Sequence, residues 1–140
     1  MTYNDLIQLY FERSNALQAY WTLYVVIVGG LLAFSSLRKQ PAALTTLVVS
    51  MLFVLFAYEN LDAILETSRQ RFATLEAIKA SPIETQQVRA AIEPTLRPAT
   101  LGSSTMTHLI SDVLTIAGLW VMELRRRKHN RSGADLSEKD

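Results

Sequence analysis

Glu59, His108, Ser111, Asp112 and Thr115 are the residues whose types and spacing could carry chemistry. His108 and Asp112 stand four apart, so on a helix their side chains meet. Ser104, Ser111 and Thr115 fall on the same helical face, and Gly118 extends it with a small residue. An imidazole beside a carboxylate can relay a proton, hold a cation, or simply hydrogen-bond. Glu59 lies in a different apolar stretch at a similar expected depth, which makes Glu59, His108 and Asp112 a candidate cluster. The cluster does not read as an enzyme. A serine and a histidine on one helix lack the nucleophile, base and orienter geometry of a triad. Three metal ligands could be drawn from His108, Asp112 and Glu59, but no recognised spacing supports them, so no metal and no cofactor is expected.

The elements that position these residues are apolar. Residues 14–37 carry no charge, and neither do residues 40–58. Residues 98–122 carry only His108 and Asp112. A helix crosses a bilayer core of about 30 Å with about 20 mostly apolar residues, and each run is long enough. Soluble helices show polar residues every third or fourth position; residues 47–57 show only Ser50. The expected class is therefore an all-α integral membrane protein with three transmembrane helices. Hydrophobic residues make up 49% of the 140-residue chain, and the formal net charge is +1. The chain has no cysteine, which excludes disulfides and thiolate metal sites. Arg13 is the only cation before the first span, so that span reads as retained rather than as a cleaved leader.

The expected layout has six parts. Residues 1–16 form a short amphipathic helix, and 17–37 form span one. Residues 42–60 form span two. Residues 61–103 form an extramembrane helical hairpin, 104–124 form span three, and 125–140 form a basic, then disordered tail. Thr2 and Asp5 can cap the first helix. Leu61, Leu65, Ser68, Phe72, Leu75 and Lys79 repeat at four and three, with Ile64 and Ile78 beside them. No Gly or Pro occurs in residues 43–79, so span two can continue as one helix beyond the membrane. Residues 81–84 read as a break and a capped restart. Pro94 and Pro98 end that second helix, and residues 102–104 are the expected turn into span three.

Cations set the orientation. Arg38 and Lys39 follow span one; Arg125, Arg126, Arg127 and Lys128 follow span three. With two spans between them, both groups share a side, and the positive-inside rule makes that side cytoplasmic. The N-terminus and the hairpin are then outside a bacterial-type inner membrane. Tyr20, Trp21 and Tyr24 read as an interfacial belt at the outer end of span one. The basic residues read first as membrane anchors. Nucleic acid is not an expected partner, because no aromatics interleave with the cations.

Gly29, Ala33 and Ser36 form a small-residue strip on span one that lets another helix approach closely. Together with Gly118 they are expected packing positions. The expected partners are the lipid bilayer and other membrane subunits, or a second copy of the chain. The layout resembles that of some phage holins in architecture alone; its long external hairpin departs from their short loops. The expected role is a small non-enzymatic scaffold or accessory subunit. The alternative is a small oligomeric pore, or a proton or cation conductor, using the polar face of span three.

Overall fold

The computed structural model describes residues 2–81 and 90–137, with side chains to residue 132. Three long helices account for most of it: α1 at Tyr3–Leu37, α2 at Ala43–Ala80 and α3 at Leu101–Ser137. A 3₁₀ turn at Glu93–Thr95 lies between α2 and α3. No strand occurs among the described residues. All three long helices are long and apolar enough to cross a membrane. Only 11%, 28% and 17% of their most apolar windows is buried within the chain, so most of that apolar surface faces outward. Val25, Leu52, Leu55, Val113 and Leu114 are among the large side chains left exposed. Such a surface suits lipid and would be costly in water.

Local chemistry explains the helix ends. The backbone N–H of Thr2 donates to Asp5 at 2.7 Å, and the Asp5 N–H donates to the Thr2 hydroxyl at 3.2 Å. This reciprocal cap starts α1, as expected. The cap also depresses the Asp5 carboxyl below its usual range, chiefly through the Thr2 backbone N–H and then through the Thr2 hydroxyl. The amphipathic N-terminal segment is not a separate element: α1 passes through residue 16 into span one without a break. Pro41 precedes α2, whose first bond runs from Thr46 N–H to the Ala42 carbonyl at 3.0 Å. At 1.5 Å per residue α2 is about 57 Å long, roughly twice a bilayer core.

The expected turn at residues 102–104 is instead the first part of α3. Thr100 makes the difference. Its hydroxyl accepts from Ser103 N–H at 3.2 Å, which caps the helix earlier and leaves Gly102 inside it. At the other end α3 continues to Ser137, where an irregular tail was expected from Asn130. No proline interrupts residues 130–137, although Asn130, Ser132, Gly133, Asp135 and Ser137 are weak helix formers. The restart expected at residues 81–84 falls mostly on residues 82–89, outside the described residues.

Hydroxyl groups on the long helices bond back to their own backbone. Ser14, Thr22, Ser50, Thr74, Thr105 and Thr115 each donate to the carbonyl four residues earlier. In an apolar surrounding this leaves none of these six hydroxyl donors stranded.

The chain divides into two compact units. The first comprises Met1–Thr22 and Asn60–Thr107. Its core is Leu6, Tyr10, Leu75, Ile78 and Leu96, with Tyr3, Ile7 and Ile92 packed against it. The N-terminal segment therefore buries its stripe in a helical core. Arg71 donates to the Tyr10 hydroxyl at 3.1 Å and lies 5.1 Å from the ring centroid. The α2 stripe is also rotated from its expected phase. Ile64, Thr67, Ser68, Thr74, Leu75 and Ile78 are buried, while Lys79 is exposed. Lys79 pairs instead with Glu76 at 2.9 Å.

The second unit comprises Leu23–Glu59 and His108–Asp140. Its buried apolar residues include Tyr24, Phe53, Ala57 and Leu119. Both polar clusters described next belong to this unit.

Candidate functional site

Span three presents His108 and Asp112 one helical turn apart, as the sequence implied. Nδ1 of His108 lies 2.9 Å from Oδ2 of Asp112. A carboxylate only accepts, so Nδ1 is the protonated nitrogen when Asp112 is ionised. The second carboxylate oxygen takes the Tyr24 hydroxyl at 2.8 Å. The Tyr24 and His108 rings sit 4.3 Å apart between centroids. The ring of Phe53, on α2, lies 6.4 Å from that of Tyr24 between centroids. His108 is fully buried and Tyr24 nearly so, whereas the Asp112 side chain keeps 16% exposure.

This geometry corrects two expectations. Tyr24 is not an interfacial belt residue: it is buried and serves Asp112. Glu59 is exposed on α2 and forms no bond with the pair. The third member of the cluster is a phenol, not a carboxylate. Of the other expected members, Thr115 is buried with its hydroxyl on the Ser111 carbonyl at 2.7 Å, and Ser111 is half-buried. The arrangement can hold one proton between imidazole and carboxylate. Among the described residues no three His, Asp or Glu side chains are placed to hold a metal ion.

The expected packing positions on α1 and α3 behave differently. Gly118 faces Leu32, whose Cδ2 lies 3.5 Å from where a Cβ would stand. Gly29 and Gly30 meet nothing within 4 Å, and Ala33 and Ser36 are exposed. Among the described residues nothing packs against Gly29 or Gly30.

A second polar cluster was not anticipated. Glu123, fully buried, receives Arg127 Nε at 3.2 Å, Arg126 Nη2 at 3.5 Å and the Thr46 hydroxyl at 3.3 Å. Arg38 Nη2 lies 3.6 Å away. Arg126 also donates to the Ser35 carbonyl at 2.6 Å and to the Ser35 hydroxyl at 3.3 Å. Three of the expected anchor cations thus converge on one carboxylate. Lys39, Arg125 and Lys128 remain exposed. The signal available in the sequence was the spacing of Glu123 from Arg126 and Arg127, three and four residues on.

No family model, curated protein or solved structure matches this chain.

Proposed function

We propose that the chain is a non-enzymatic subunit or scaffold of a membrane complex, held by three spans. The observation that carries this reading is the pairing of Asp112 on the polar face of α3. Both oxygens of Asp112 are engaged, by His108 and by Tyr24. A buried polar group with its partners in place fixes helix packing; a conducting path needs such groups turned toward water. The faces left over are apolar or small, including the open strip at Gly29, Ala33 and Ser36. These are surfaces for lipid, for other subunits or for a second copy.

Flux through reconstituted vesicles tests the reading. The scaffold gives no proton or cation current above empty vesicles. A current that Asp112→Asn abolishes would establish the pore in its place. Chemical crosslinking in native membrane, followed by mass spectrometry, should recover a constant set of membrane subunits or a self-crosslink. Recovery of the monomer alone would count against a scaffold.

The proposed orientation places the N-terminus outside a bacterial-type inner membrane and the tail in the cytoplasm. The chain has no cysteine, so single cysteines report cleanly. Ser68 is buried and makes a poor probe, whereas Arg69 and Ser132 are exposed. Arg69→Cys should label from outside sealed cells and Ser132→Cys should not. The opposite pattern would invert the topology.

A further inference from the structure

Seven Lys and Arg residues and one Glu lie within residues 38–43 and 123–131, a net of six positive charges with histidine neutral. Glu123 is already counted in that net, and no other acidic residue in these segments offsets it. A cleft of about 370 Å³ opens beside it, lined by Pro41, Ala43, Glu123, Arg127, Asn130 and Arg131.

The donors around this cleft are held ready. Arg127 spends its Nε on Glu123 and keeps 42% of its side chain exposed. Its two terminal amino groups make no hydrogen bond among the described residues. A guanidinium fixed through Nε presents a preset fork to an oxyanion. Arg131 follows four residues later on the same face of α3 and is exposed. Asn130 donates to Gln40 at 3.4 Å, tying α3 to the loop before α2. Glu123 itself, wholly buried, acts as the clamp that orients Arg127 and not as a wall repelling the ligand.

The surroundings narrow the ligand. The cleft lies where the apolar stretches of α2 and α3 end. Leu44 follows Ala43 and is 74% exposed; Leu124 follows Glu123 and is 57% exposed. Leu47 and Val48 continue an exposed apolar surface along α2. Cations next to exposed leucines match an amphiphile. A free anion would use the arginines and ignore the leucines.

We infer that this cleft binds the phosphate of an anionic phospholipid, with Arg127 and Arg131 on the headgroup and the acyl chains along Leu44 and Leu47. The inference needs the membrane spans but not the scaffold reading, and vesicle flux does not bear on it.

The test is native mass spectrometry of the detergent-solubilised full chain, titrated with phosphatidylglycerol, phosphatidylcholine or inorganic phosphate. The native chain should retain phosphatidylglycerol preferentially. The R127Q/R131Q double variant should weaken that binding about tenfold or more, the scale of one lost charge-assisted hydrogen bond. R125Q/K128Q removes the same charge from the same helix outside the cleft and should change binding far less. Equal losses in the two double variants would mean diffuse attraction and overturn the site. Inorganic phosphate displacing the lipid at equal concentration would overturn the lipid assignment. R131Q alone touches no described structural contact, so its several-fold weakening keeps the test decisive should R127Q disturb Glu123.

Discussion

Two carboxylates are buried or half-buried among apolar helices of one unit, and they are accommodated in opposite ways. Asp112 keeps company with an imidazole and a phenol, groups that are neutral or can be. Glu123 sits among three guanidinium groups that cannot lose their charge. Asp112 lies well inside the apolar run of α3, and a permanent cation is expensive inside a membrane. Glu123 lies at the end of the apolar run, where long basic side chains reach water or headgroups. The carboxylate inside the apolar run has partners that can be neutral, and the one at its end has fixed cations.

The largest effect expected from breaking this contrast is at Glu123. Glu123→Leu leaves Arg38 and Arg126, both mostly buried, facing one another without a counter-charge. Equilibrium unfolding of the full chain in mixed detergent micelles should show a loss of about 3–5 kcal/mol. A neutral or stabilising result would mean that the arginines escape to the headgroup region unaided.

Next comes Asp112. Leucine is the better lipid-facing residue by about 3 kcal/mol at the centre of a span. Asp112→Leu should nevertheless destabilise, by about 1–3 kcal/mol, because Tyr24 and His108 lose their acceptor. His108→Leu should cost a similar amount, and the double variant should lose less than the sum. Additive losses would separate the two residues energetically.

Tyr24→Phe removes one neutral donor and leaves the ring packing intact. Its cost should be about 1 kcal/mol in the same unfolding measurement. A cost equal to that of Asp112→Leu would place the hydroxyl, not the imidazole, at the centre of the cluster.

The smallest effect belongs to a third carboxylate, wholly in solvent. The carboxyl of Asp5 is held below its usual range by the cap from Thr2. Because the folded value is depressed, the cap contributes fully above the unfolded pKa, about 3.9. The contribution is lost as pH falls through the folded value. Fraying of the first turn of α1, followed by NMR of Leu6, should rise in that acid range. Asp5→Asn should flatten the dependence.

How far the sequence reached follows from what each feature depends on. Spans depend on composition along the chain, and all three were legible. The Thr2 and Asp5 cap and the His108 and Asp112 pair depend on spacing within one helix, and both were legible too. Tyr24 and Glu59 depend on how α1 and α2 are rotated about their axes, which no within-helix pattern fixes. Glu59 was therefore placed in the cluster, and Tyr24 was assigned to the interface. Glu123 was hidden for a related reason. It opens a basic run that topology alone accounts for, while Thr46, Arg38 and Ser35 approach from other helices. The α2 stripe shows a subtler limit: threonines at 67 and 74 are buried where hydrophobicity alone favoured neighbours.

The hydroxyls that bond back to their own helices bear on how such a chain enters a bilayer. Ser50 and Thr115 are satisfied by the carbonyls of Thr46 and Ser111, each within a single helical turn. Neither waits for a neighbouring helix. Asp112 does wait, since the Tyr24 hydroxyl arrives only from α1. Glu123 needs Thr46 from α2 and Arg38 from the segment after α1. Insertion of single helices and their later docking are thus chemically separable steps, and the two carboxylates mark the second.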